Sequence, residues 1–177
     1  MTAVLFDGSN VYNRLREIYP LPQPLPRIDY TKLANWVSDT RLNKKIYYAG
    51  RIKAKPGDLH SIGMMKSQQK LTTKLLNAGW EIKLGYIMES FGEFHEKGVD
   101  VNIATDLLIG AYENLYNTVY LVSSDTDLIP AIEKAISKGL RIVYVGFEHN
   151  PSNGLKGNCS EFKLISKSDL ERNCLSL

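Results

Sequence analysis

Two short apolar runs, each stopped abruptly by acids, constrain this chain more than anything else in it. Thr118 to Leu128 reads Thr-Val-Tyr-Leu-Val-Ser-Ser-Asp-Thr-Asp-Leu. Val119 to Val122 is β-branched and aromatic, too short for a helix, and bounded by Asn117 and by Ser123-Ser124, the pattern of a strand buried on both faces. It ends in two carboxylates, Asp125 and Asp127. The apolar period then turns helical, with Leu128, Ile129, Ile132, Ala135 and Ile136, and Gly139 closes the run. Ala3-Val4-Leu5-Phe6 ends the same way, in Asp7-Gly8-Ser9-Asn10. Acids at strand-to-helix turns fall at the carboxyl edge of an open α/β sheet, where ligands bind.

The rest of the chain repeats the alternation. Lys45 to Gly50 reads as a second strand that empties into a basic loop with Arg51, Lys53 and Lys55, and a helix follows from Ser61 to Ala78. Trp80 to Met88 is a third strand, Asp100 opens a long helix that ends near Tyr116, and Arg141 to Phe147 is a fifth strand. Strands alternating with helices predict a three-layer α/β/α fold, with a mostly parallel sheet of about five strands in the order 3-2-1-4-5. In that order Asp7 and Asp125 face each other across the switch point. The expected organisation is a single domain over residues 1–177, with its core at 2–147 and a C-terminal extension at 148–177.

Several local expectations follow. Four of the seven prolines lie between Tyr19 and Pro26, which predicts an extended, polyproline-like strap. Asp29 is placed to cap a helix from Tyr30 to Ser38 that buries Leu33, Trp36 and Val37. Glu89 to Gly98 reads as a polar loop over the sheet edge, with His95 as a surface histidine. In the long helix, Val101, Ala104, Leu108, Ala111 and Leu115 form the predicted core stripe, with Asp100 as N-cap near it and Asp106 on the opposite side.

Composition excludes some chemistry. Cys159 and Cys174 lack the spacing of a disulfide framework or a zinc site, which predicts reduced thiols. No run approaches the roughly 18 apolar residues of a membrane span, and no basic segment precedes the first strand, so a cytoplasmic protein is expected. The net charge of +3, from 22 basic and 19 acidic residues, permits an anionic partner. Lys66, Lys70 and Lys74, four apart, make one cationic ridge that reads either as a solvated face or as a track for phosphates.

Asp7, Asp125 and Asp127 at one edge, with Asp100 entering from the same side and Asn10 beside Asp7, would raise one another's pKa values unless a cation sat among them. Oxygen-only donors suit Mg²⁺ or Mn²⁺. A divalent ion on carboxylates beside basic residues is the apparatus for phosphodiester hydrolysis, with Asp100 or Asp127 free to orient water. Other enzyme classes fit less well. A receiver would need an acceptor Asp after its third strand and a Lys after its fifth, where Met88-Glu89 and Phe147-Glu148 stand, and a covalent phosphatase would want an acid at Ser9. His60, His95 and His149 assemble no Ser-His-Asp set, and no glycine-rich phosphate loop occurs.

Asp7-Gly8-Ser9-Asn10 after the first strand, Lys97-Gly98-Val99-Asp100-Val101 opening a long helix, and Ser123-Ser124-Asp125-Thr126-Asp127-Leu128 after a later strand resemble the three signatures of NYN domains, members of the PIN-like nuclease superfamily. The resemblance spans Thr2 to Phe147 and implies a PIN-like fold and metal-dependent endoribonuclease activity. It places the acidic, metal-holding site on Asp7, Asp100, Asp125 and Asp127, with Asn10 as polar helper and Asp106 as a weaker candidate. The chain has Ser124 where the family often has Gly, which removes some backbone freedom next to Asp125. The expected partner is RNA, in single strands or loops, contacted by Ser9, Ser124, Arg51, Lys53, Lys66, Lys70 and Lys74, with Tyr12 or Tyr47 available for stacking. The alternative is a catalytically weak or inactive RNA-binding or regulatory module on the same fold.

Overall fold

Burial along the first strand shows how the layers are arranged. A computed structural model describes the backbone of residues 1–90 and 93–175 and the side chains of 1–86 and 97–175. In chain order its elements are β1 (Thr2–Asp7), α1 (Gly8–Ile18), α2 (Tyr30–Val37), β2 (Lys44–Arg51), α3 (Leu59–Asn77), β3 (Glu81–Ser90), β4 (Glu93–Lys97) and α4 (Val99–Tyr112). There follow β5 (Thr118–Val122), a 3-10 turn (Thr126–Leu128), α5 (Ile129–Ser137), β6 (Arg141–Phe147), α6 (Asn153–Asn158), β7 (Glu161–Ile165) and α7 (Lys167–Asn173). Val4 and Phe6 of β1 pack in one apolar cluster with Val11, Leu33, Leu75 and Leu170, from α1, α2, α3 and α7. Ala3 and Leu5, pointing the other way, pack with Ile103, Ile132 and Leu155, from α4, α5 and α6. Successive side chains of a strand face opposite sides, so one strand feeds two cores and the fold has three layers.

Among the described residues the strands form one seven-stranded sheet, in the order β4-β3-β2-β1-β5-β6-β7. Every pairing is parallel except β3 with β4. The parallel strands alone run 3-2-1-4-5-6, which is the expected order with one strand more, supplied by β7. The chain moves outward from β1 through β2 to β3, then returns to lay β5 on the other side of β1. The crevice between the ends of β1 and β5 is therefore the switch point.

Four local expectations are corrected. Glu89 to Gly98 is no loop: its described residues complete β3 and form β4, paired from Tyr86↔Lys97 to Ser90↔Glu93, and the side chain of His95 lies outside the described residues. The charges of Glu93, Glu96 and Lys97 suit a strand at the edge of the sheet, where charged residues discourage further pairing. The proline segment turns instead of running straight, with a cis peptide between Leu21 and Pro22 and Gln23 N–H donating to the Pro20 carbonyl. Asp29 does cap α2, accepting from Thr31 and Lys32 N–H, but Trp36 is 39% exposed and Ala34 takes the inner position.

The fourth correction matters most for the site. Helix α4 buries Val99, Ile103, Leu107, Gly110 and Ala111, and leaves Val101 67% exposed. This helix is apolar nearly all the way round, so two stripes satisfy the helical period, and packing against the sheet chooses between them. Leu115 lies past its end. Asp100 is in the first turn and is not the cap; that position belongs to Gly98, at φ 83°, a left-handed conformation that lets the chain swing from β4 into α4.

Candidate functional site

Asp7 ends β1 and caps α1, so two elements fix it. The residue is 4% exposed. One carboxylate oxygen accepts from Asn10 N–H at 3.0 Å and the other from the Ser123 hydroxyl at 2.8 Å. Glycine at position 8 is required by its neighbour, because a Cβ there would lie 2.2 Å from the Tyr47 hydroxyl oxygen. Asn10, inside α1, turns its carboxamide across the switch point and accepts from Ser124 N–H at 3.1 Å.

Ser123 is the hinge of this network. While donating to Asp7 it accepts from Asp125 N–H at 3.2 Å, so a hydroxyl 2% exposed joins the acids that end β1 and β5. Asp125 is half-buried and caps the 3-10 turn, accepting from Asp127 N–H at 2.9 Å. Asp127 is exposed. Ser124, 9% exposed, sits 3.4 Å from the Tyr144 hydroxyl, which in turn accepts from Ser152 N–H. The structure thus brings Asp7, Asn10, Ser123, Ser124 and Asp125 together at the crevice. The sequence reading lacked Ser123 and Tyr144. Ser123 carried a signal: a serine two places before an acid, just past a strand, often closes such a turn.

Asp100 lies at the same edge by topology. β4 brings the chain back beside Tyr86, which is level with Arg51 at the carboxyl end of β2, and α4 begins there, with Val99 packed over Gly85. Its carboxylate is exposed. Asp106 is elsewhere. With the core stripe shifted, it turns towards the sheet, where one oxygen accepts from the Tyr48 hydroxyl at 2.6 Å and the other from Lys83 Nζ at 2.7 Å. Burial and then the Asp106 hydrogen bond push the Tyr48 hydroxyl well above its ordinary value. Burial pulls Lys83 down, but Asp106 and Glu81 outweigh it and hold the ammonium above its ordinary value.

Asp106 therefore belongs to a structural triad and is withdrawn from the metal set. Asp106→Ala should cost about 1–3 kcal/mol by leaving the buried Tyr48 hydroxyl without its acceptor and Lys83 with Glu81 alone. The urea denaturation midpoint of the variant against wild type checks it. Tyr48 and Lys83 both have raised folded-state pKa values. The stability they lend is present in full below their ordinary values of 10.0 and 10.5 and is lost as pH rises beyond them. Tm measured against pH should fall on the alkaline side, and less steeply in Asp106→Ala.

The basic and aromatic candidates separate as well. Lys66 and Lys70 are exposed, on the side of α3 turned away from Gln68, whose amide binds Gly50 and Ile52 at the end of β2. Lys74 pairs with Asp29 at 3.8 Å. Arg51 and Lys53 are exposed beside the carboxyl edge. Tyr47, 5% exposed, is part of the core and offers no stacking face, whereas Tyr12 is 49% exposed, with the Arg16 guanidinium 5.6 Å from its ring centre.

Among the described residues, no group of three or more His, Cys, Asp or Glu side chains is arranged to hold a metal ion. The donors around the crevice are oxygens of Asp7 and Asp125. That chemistry fits a hard cation such as Mg²⁺, which commonly keeps several waters and binds through one or two carboxylates and substrate phosphate instead of a protein cage. Among those residues, too, no helix is long and apolar enough to cross a membrane.

The family model of the NYN domain matches residues 1–166. This chain belongs to the NYN-domain family, which has the PIN-like nuclease fold. A solved structure of a protein of unknown function from Vibrio parahaemolyticus RIMD 2210633 is similar over 98% of this chain and 96% of that one, at 21% identity and a TM-score of 0.69, a likeness of fold. No curated protein matches the chain.

Proposed function

We propose that this chain is a metal-dependent endoribonuclease that hydrolyses RNA phosphodiester bonds at the crevice between β1 and β5. The observation that carries this reading is the Asp7–Ser123–Asp125 relay, which holds acids from two adjacent strand ends together at the point where open α/β sheets bind ligands. Membership of a family with a nuclease fold supports it.

Asp7 and Asp125 would hold Mg²⁺ or Mn²⁺, and Asp100 and Asp127, placed at the same edge of the sheet, would orient water. When bound, the ion would supply an ionised water and neutralise charge on the phosphate. The chain's own residues do the positioning. Asn10 N–H and the Ser123 hydroxyl fix both oxygens of Asp7, so its carboxylate does not rotate on loading. Asn10 Oδ1 pins the Ser124 backbone, which sets the path of the turn that presents Asp125.

A second reading keeps the fold and RNA binding without appreciable cleavage. It is favoured by the use both acids already have as caps, of α1 and of the 3-10 turn. One experiment separates the two. Labelled RNAs and DNAs are incubated with Mg²⁺, Mn²⁺ or chelator and either wild type or Asp125→Asn. The nuclease reading expects RNA fragments from wild type with metal alone. Fragments from both proteins, or from neither, would overturn it.

A further inference from the structure

Tyr86 stands between two cations across the sheet. The register of β3 sets it beside Arg51 of β2 on one side and Lys97 of β4 on the other. Residues paired across neighbouring strands share a face, so the three form one row, spanning about 10 Å at the usual strand spacing. Ala49 on β2 and Ile82 and Leu84 on β3 hold the same face further back and pack into the core with α1 to α3. At the carboxyl end the row passes out of that core: Arg51 and Lys97 are exposed, and Tyr86 is 56% exposed.

Several cations of the chain are neutralised locally among the described residues, and others, Lys66 and Lys70 included, are not. Lys83, Arg141 and Lys163 each pair with a carboxylate. Among the described residues, Arg51 and Lys97 have no such partner. Tyr86 is also next to the acidic edge. A Cβ on Gly98 would lie 3.5 Å from Tyr86 Cε1, and Gly98 immediately precedes α4, with Asp100 in its first turn. A large exposed ring between two unpaired cations presents an apolar face for a base and charge for the phosphates on either side of it.

We infer that the Arg51–Tyr86–Lys97 row is the platform on which single-stranded RNA reaches the crevice, one base stacking on Tyr86 and the flanking phosphates held by Arg51 and Lys97. The choice of RNA rests on the nuclease reading; the geometry of the platform does not. A duplex keeps its bases stacked internally and has none to lend to Tyr86, so the platform selects single strands.

The test is binding of a labelled oligouridylate and of a blunt RNA duplex, in chelator, followed by fluorescence anisotropy. Tyr86→Ala should weaken oligouridylate binding by about tenfold and Tyr86→Phe should restore it, with duplex binding unmoved by either. Arg51→Gln with Lys97→Gln should make the slope of log affinity against log salt shallower by about 1.4, the share of two phosphates. Should Tyr86→Ala fail to fold, the salt slope carries the test. Unchanged oligouridylate affinity in a folded Tyr86→Ala, an equal loss on the duplex, no recovery in Tyr86→Phe, or an unchanged salt slope would overturn the platform. Tyr86-dependent binding by a protein that cuts nothing with metal keeps the platform and removes the nuclease reading. Cleavage with unchanged binding in Tyr86→Ala does the reverse.

Discussion

Asp7→Asn is expected to lower metal-dependent RNA cleavage by at least ~100-fold, the scale on which a metal-site group acts, while the fold persists. The change removes one negative charge and little else. Asparagine caps helices about as well as aspartate, so its carboxamide oxygen keeps the bond from Asn10 N–H. Its amide nitrogen then faces the Ser123 hydroxyl, which has a second lone pair to accept with while it still accepts from Asp125 N–H. The stability change should stay within about 1 kcal/mol, the net worth of one hydrogen bond. Single-turnover cleavage and a urea midpoint on the same preparation make the comparison. An Asp7→Asn protein that cuts RNA at the wild-type rate would remove Asp7 from the reacting centre.

Gly85→Ala is expected to destabilise the protein by about 1–3 kcal/mol, the range for overpacking a filled site, and to cost activity as well. A Cβ at this position would lie 2.5 Å from the Lys97 carbonyl oxygen and 2.9 Å from Val99 Cγ2. The first of these is backbone, and the pairing of Lys97 with Tyr86 leaves it no room to retreat. The join between β4 and α4 must move instead, and Asp100 rides on it. Misplacing a catalytic group by about 1 Å can cost roughly 100-fold in rate. Gly63→Ala provides the opposite sign in the same assay. Gly63 lies inside α3 with nothing near its missing Cβ, so alanine there should stabilise by about 0.5–1 kcal/mol. Equal midpoints for the two variants would contradict the close packing under α4.

The parts of the fold legible in the sequence were those where one pattern had one solution. The runs at Ala3–Phe6 and Val119–Val122 are too short to be helices and too apolar to be loops, and both became central strands. Their order across the sheet followed from the rule for open α/β folds. Helix α4 shows the limit. With Val99, Val101, Ile103, Ala104, Leu107 and Leu108 all apolar, the phase of burial is set by contacts with β2 and β3, which no local window contains. That ambiguity is what hid the partners of Asp106.

The site was legible in the same uneven way. Aspartates at strand ends announce themselves by residue type and position, so the nearness of Asp7 and Asp125 at the crevice is readable from the sequence. Ser123 was missed because its part is relational: it joins two acids that are 118 positions apart in numbering. Tyr86 and Lys97 were missed for a related reason. Their pairing depends on a hairpin whose polar residues read as loop, and only the register with Arg51 makes the row. Conversely the lysine ridge of α3, conspicuous as a four-residue repeat, sits on the face turned from the strand ends.

The place of β1 has a consequence for biosynthesis. It is flanked by β2, which follows closely, and by β5, whose Thr118 pairs with Thr2. A nascent polypeptide leaving the ribosome therefore carries its central strand half-paired until more than a hundred further residues have been translated. Pairings this remote make assembly slow and leave an open, sticky margin in the meantime. Polypeptides released before β5 should be caught by chaperones or precipitate, and the full-length product should not.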